Sequence, residues 1–220
     1  MYSPIVKSLR DCRLYTFVDV AWLRGRKPEE VAQQLCDGGA DLIQFRAKSS
    51  TPDEVRRLVG AILPITNRAD IGLIINDYPQ IALQTGALGC HLGQEDFFDA
   101  GFTQATQVTG CPPAIKLGLS THAPDQALRA LEARPDYIAI GPVFATATKP
   151  MARPVTLEYV RWAAANVTSP WFAIGGITLR NLDAVLAAGA NRICVVSAIL
   201  DAPDIVKSCR AFKDRLPSAP

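Results

Sequence analysis

Eight short apolar runs, each followed by an amphipathic stretch, set the main limit on what this chain can fold into. The runs cover residues 14–19, 42–46, 71–77, 89–92, 115–120, 137–143, 171–176 and 192–198. Their length and near-continuous apolar character suit strands buried on both faces. The amphipathic stretches lie at 28–36, 51–63, 79–85, 98–109, 124–133, 157–166, 179–188 and 203–216. Thr51 followed by Pro52 reads as an N-cap with proline at the first helical position. Eight strand–helix units in 220 residues predict a (β/α)8 TIM barrel near its lower size limit.

Gly38-Gly39-Ala40, Thr85-Gly86-Ala87 and Ala188-Gly189-Ala190 each sit between a helix and the next strand. Glycine there fits a left-handed helix end and marks repeating βα units. An open doubly wound sheet is the other fold with this alternation. It more often carries a Gly-rich phosphate turn after its first strand, where this chain has Asp19-Val20-Ala21-Trp22. No linker rich in Pro, Gly or Ser interrupts the pattern. One domain over 1–220 is expected, with the barrel core at about 14–216.

Composition enters mainly as an exclusion. Net charge is +2 with no long basic run, which argues against a broad nucleic-acid or polybasic membrane surface. No apolar run approaches the ~18 residues of a membrane span, and no signal peptide is evident. The six cysteines show no C-x-x-C or zinc-ribbon spacing and read as small core residues in a reducing compartment, giving a cytoplasmic expectation. Cys90 and His91 are neighbours on a strand and face opposite sides, so they are not read as a metal pair.

Polar residues collect at the C-terminal ends of the runs: Asp19, Arg46 with Lys48, Asn76-Asp77, Gln94-Glu95-Asp96, Ser120 with His122, Gly175-Gly176 and Ser197. In a parallel barrel these ends share one rim, where active sites are built. The run at 137–143 leads into Thr146-Ala147-Thr148-Lys149. Hydroxyl and ammonium donors so arranged suit a phosphate, and a turn with a solvated lysine is the plain alternative. Gly175-Gly176 and Val196-Ser197 match the usual phosphate site of such barrels, or a tight turn needing glycine. Asp77 and Asp96 read singly as helix caps. Together on one rim with Arg46, Lys48 and Lys149 they suit Mg²⁺ and a diphosphate. Two anion sites then fit one reaction: a monophosphate near strands seven and eight, and a metal-bound diphosphate leaving group near strands two to four and six.

Gln44-Phe45-Arg46-Ala47-Lys48, Asn76-Asp77, the run His91 to Asp96, the run Gly118 to His122, Gly141-Pro142-Val143-Phe144 with Thr146 to Lys149, and Gly175-Gly176-Ile177 occur in that order. Over about 14–199 the chain resembles the thiamine-phosphate synthase family. The resemblance implies a barrel that joins hydroxymethylpyrimidine diphosphate to a thiazole phosphate, releasing diphosphate, and CO₂ when the thiazole is carboxylated. By position, Gln44, Phe45, Arg46, Ala47, Lys48, Asn76, Ser120 and Lys149 would hold the pyrimidine diphosphate. Arg46, Lys48, Ser120 and Lys149 would act in catalysis. Asp77 and Asp96 would bind Mg²⁺, and Thr146, Ala147, Thr148, Gly176, Val196 and Ser197 would hold the thiazole phosphate. The chain departs from the family pattern at Ala47, where an acid is usual, at Ala145, where proline is common, and at Thr156, where glycine is usual. Related readings are a thiazole tautomerase using His122 and a non-catalytic sensor of thiamine precursors. The expected partners are small molecules, with a homodimer as the candidate assembly and neither nucleic acid nor membrane.

Overall fold

The computed structural model describes residues 7–111, 113–146 and 153–217. Its strands are β1 (Leu14–Asp19), β2 (Leu42–Arg46), β3 (Gly72–Asn76), β4 (Gly89–Gly93), β5 (Lys116–Thr121), β6 (Tyr137–Ile140), β7 (Trp171–Ile174) and β8 (Ile193–Cys194). All pair in parallel in sequence order, and β8 returns to β1 through Leu14↔Ile193 and Tyr15↔Cys194, closing the barrel. The helices are α1 (Pro28–Asp37), α2 (Pro52–Arg68), α3 (Pro79–Thr85), α4 (Gln94–Asp99), α5 (Thr106–Thr109), α6 (Pro124–Glu132), α7 (Thr156–Asn166), α8 (Leu182–Ala187), α9 (Ser197–Leu200) and α10 (Ile205–Lys213). The (β/α)8 expectation holds. No helix among the described residues is long and apolar enough to cross a membrane.

Local chemistry sets many of the boundaries. Thr51 and Glu54 exchange side-chain and backbone hydrogen bonds in a capping box, and Pro52 opens α2. Gly39, Gly86 and Gly189 have φ of 84°, 73° and 100° at helix ends, the conformation their sequence position anticipates. Among the boundaries that differ from the sequence expectation, three have a clear local cause. Helix α2 runs on past Pro64 to Arg68, because Ile62 and Thr66 keep its inner face buried. The helix expected over 98–109 is two short ones, broken where Gly101 takes φ 82°. Ser197 and Ala198, expected in the last strand, begin α9, because the chain leaves the sheet at Val196 with ψ −85°.

Inside the barrel an aromatic layer forms the floor. Tyr15, Tyr137 and Phe172 are fully buried, with ring centroids 5.4 to 5.9 Å apart in edge-to-face pairs. Such pairs contribute about 0.5–1.5 kcal/mol each beyond area burial. Gly118 on β5 makes room for them, since a Cβ there would lie 2.1 Å from Tyr137 Cζ.

The opposite end is closed by carboxylates. Asp41, just before β2, accepts from the N–H groups of Arg13 (2.9 Å) and Leu14 (3.0 Å). It also pairs with Lys7 at 2.7 Å and with Lys213 of α10. Asp136, just before β6, repeats the device by accepting from Leu117 N–H at 2.9 Å and pairing with Lys116. These contacts tie strand starts to each other and, at Asp41, to the last helix. Groups at this end of a barrel serve stability.

Candidate active site

A cavity opens at the C-terminal ends of the strands, with about 1010 Å³ of empty space counted out to its mouth. That is enough for small-molecule ligands. Strand alternation decides which residues reach it. On β2, Gln44 and Arg46 line the cavity, while Phe45 lies between them, turned the other way and buried. Ala47 is also buried away from the lining. Phe45 and Ala47 therefore offer a ligand only their backbone.

On one side of the ring stand β2, β3 and β4. Arg46 places Nη1 2.7 Å from Asp19 Oδ2 at the end of β1. Lys48 Nζ lies 3.4 Å from Asp77 Oδ2. Asn76 and Asp96 line the same wall. Asp77 takes φ 65°, a left-handed conformation that aspartate tolerates better than most residues. Its N–H still bonds His91 O at 3.0 Å, so the turn follows the last rung of the β3–β4 ladder. Gly93 accommodates Asp96, because a Cβ on it would lie 2.6 Å from Asp96 Oδ2. Neither α3 nor α4 has a side-chain cap bond at its start, so neither aspartate is spent as a cap.

Across the ring are β6, β7 and β8. Thr146, Gly176, Val196 and Ser197 line this wall. Gly175 and Gly176 have φ of 104° and 64°. A Cβ on Gly176 would meet Ala145 O at 2.6 Å, so glycine here satisfies both the backbone angle and a close loop approach. Ser120 and His122 come from β5 and the loop after it. The His122 Nδ1 donates to Gly141 O, since a carbonyl only accepts. Ala147, Thr148 and Lys149 lie outside the described residues.

The cavity thus gathers Gln44, Arg46, Lys48, Asn76, Asp77 and Asp96 with Ser120, Thr146, Gly176, Val196 and Ser197. Sequence reasoning placed Asp19 at a strand end but gave it no role. It also passed over Tyr15 and Phe17, which share the inward face of β1 with Asp19. Their spacing of two was the available signal. His91, read from sequence as a barrel-interior residue, is buried and hydrogen-bonded to Tyr137 at 3.1 Å. Among the described residues the thiol in the lining is Cys194, and burial holds its pKa well above the ordinary range. A protonated thiol is a poor nucleophile.

Thr156 takes φ 63° at the start of α7. The glycine usual at this position in the family that the sequence resembles would adopt that angle freely. Threonine, being β-branched, is strained there.

Known proteins are similar to this chain along most of its length. Residues 14–199 match the family model described as thiamine monophosphate synthase. A thiamine-phosphate synthase of Thermus thermophilus is 46% identical over 187 residues, spanning 81% of this chain and 84% of its own. One from Halalkalibacterium halodurans is 38% identical over 205 residues, spanning 93% and 95%. Among solved structures, the thiamine phosphate pyrophosphorylase from Pyrococcus furiosus superposes with a TM-score of 0.81 at 28% identity, covering 94% of this chain and 96% of its own.

Proposed function

Because the chain belongs to the thiamine monophosphate synthase family, we propose that its rim joins a hydroxymethylpyrimidine, delivered as the diphosphate, to the nitrogen of a thiazole phosphate. The chain is a transferase of thiamine biosynthesis. The observation that carries the detailed reading is the division of the cavity. Two cations and two acids stand on the β2–β4 wall, and a glycine-and-hydroxyl wall stands opposite at β6–β8.

The carboxylates of the site suit Mg²⁺. Among the described residues, no group of three His, Cys, Asp or Glu could hold a metal unaided. Mg²⁺ does not need one, since it binds through one or two carboxylates plus water and substrate phosphate. Asp77 and Asp96 fit that role, and the ion would supply positive charge beside the departing diphosphate.

The remaining roles fall to side chains. Arg46 is anchored by Asp19 through Nη1, which leaves its other N–H groups for phosphate oxygens. Among the described residues Lys48 is held by a 3.4 Å contact to Asp77, so its ammonium turns to phosphate when Asp77 is engaged elsewhere. Asn76 and Ser120 add neutral donors to the same ligand. Ser197, Thr146 and the Gly176 turn receive the thiazole phosphate. Lys149 is assigned to the diphosphate, and Ala147 and Thr148 to the thiazole phosphate, by their place in the family pattern.

The reaction breaks the bond from the pyrimidine methylene to oxygen, and the electron pair leaves with the diphosphate. The aminopyrimidine stabilises the resulting cation, and the thiazole nitrogen forms the new bond with its lone pair. No protein nucleophile is required, in keeping with the protonated Cys194 in the lining. The cytoplasm and a homodimer complete the proposal; cell fractionation and light scattering test them. The activity is tested by mixing both substrates with Mg²⁺ and following diphosphate release and thiamine phosphate formation. Neither product appearing would refute the reading.

A further inference from the structure

Three side chains lining the cavity and Tyr137 buried beneath it form one line of hydrogen bonds. Gln44 Nε2 lies 2.7 Å from the Tyr15 hydroxyl, which lies 2.9 Å from that of Tyr137, which lies 3.1 Å from His91 Nδ1. Each phenol has one proton to give. Burial raises both phenols well above their ordinary range, so both keep that proton.

The direction of the line follows from counting donors. The Gln44 nitrogen can only donate, so the Tyr15 proton must point away from it, to Tyr137. With Gln44 Nε2 on Tyr15, the Tyr137 proton goes to His91 Nδ1, which requires the ring tautomer that carries its proton on Nε2. Among the described residues Gln44 Oε1 receives no hydrogen bond, and Gln44 lines the cavity. The amide therefore meets a ligand with its carbonyl. Turning it round would require every bond in the line to reverse.

We propose that Tyr15 and Tyr137 are positioning residues that fix the Gln44 amide with its carbonyl toward the ligand, so that the site selects a pyrimidine bearing an exocyclic amino group over an oxo ring of the same size. This rests on the function proposed above and adds to it a device for choosing the substrate. An amino group donates to a carbonyl; an oxo group in its place meets acceptor with acceptor. Sites that read a group by a fixed hydrogen bond reject the mismatched analogue strongly.

The test is calorimetric binding of the aminopyrimidine diphosphate and of its 4-oxo analogue, each with Mg²⁺, to the whole chain and to Tyr15→Phe and Tyr137→Phe. The unaltered protein is expected to bind the amino form at least about 100-fold tighter. Either substitution removes one oxygen and frees the amide to turn, and the preference is expected to fall about tenfold or more. Melting temperatures show whether the variants fold. Equal binding of the two rings by the unaltered protein, or parallel weakening of both rings in both variants, would overturn the proposal. Turnover of the unaltered protein is measured alongside. Discrimination without thiamine phosphate formation would refute the function and leave the selection device standing.

Discussion

Arg46 reaches from the end of β2 to Asp19 at the end of β1, with Nη1 2.7 Å from Oδ2 and the carboxylate 1% exposed. The two residues are register partners in the β1–β2 ladder. The buried carboxylate anchors the guanidinium at one nitrogen. The family pattern that the sequence resembles has an acid at position 47. This chain has Ala47 there, and the acid beside Arg46 is on the neighbouring strand.

A double-mutant cycle checks that anchoring. Asp19→Ala is expected to lower kcat/KM for the pyrimidine diphosphate by about 10- to 100-fold, the usual scale for a misplaced binding group. Introduced on Arg46→Ala, the same change should cost less than about threefold, because the residue it positions is gone. Additive losses would show that Asp19 acts independently of Arg46.

The metal assignment predicts a shifted titration. Asp77→Asn and Asp96→Asn should each raise the Mg²⁺ concentration for half-maximal rate by about tenfold or more, the range seen when a ligand's support is lost. Activity against Mg²⁺ concentration is the measurement. An unchanged midpoint in both variants would remove them as ligands.

The two walls predict opposite substrate effects. Lys48→Ala should raise KM for the pyrimidine diphosphate and leave that for the thiazole phosphate within about twofold. Ser197→Ala should do the reverse, each losing a bond to a charged group of about 1.5–3 kcal/mol. If both variants weaken the same substrate, the division of the cavity is wrong.

At the far end of the barrel, Asp41 predicts an acid-sensitive stability. Burial alone would raise its pKa, but Lys213, Lys7 and the N–H groups of Leu14 and Arg13 together hold it below the ordinary carboxylate value. A group depressed in the folded state stabilises above its unfolded pKa and loses that contribution as pH falls through the folded one. The loss belongs below about pH 4. Asp41→Asn should cost about 3 kcal/mol near neutrality and flatten the pH dependence of the urea midpoint in that acid window.

Thr156→Gly should raise stability by about 1 kcal/mol, since relief of left-handed strain exceeds the entropy glycine adds to the unfolded chain. Urea denaturation measures it, and a loss of stability would mean that the threonine conformation is not strained.

Much of the cavity lining is legible in the sequence. A parallel strand has period two, so Gln44 and Arg46 had to share a face, and polar strand ends had to share a rim. The departure at Thr156 was visible as a missing glycine; the backbone angle of 63° is what gives it an energetic meaning. Ser197 reads from sequence as strand because apolar residues run unbroken from Ile193 to Val196, and composition does not mark where a backbone leaves a sheet.

Periodicity is local, and so the chain alone determined eight βα units, one polar rim and the chemistry of the residues on it. Pairings between distant residues depend on how the strands close. Asp19 with Arg46, Tyr15 with Tyr137 across the barrel, and Asp41 with Lys213 are separated by 27, 122 and 172 positions. Only the tertiary structure decided them, because register and ring closure bring those side chains within bonding distance and no spacing along the sequence encodes that proximity.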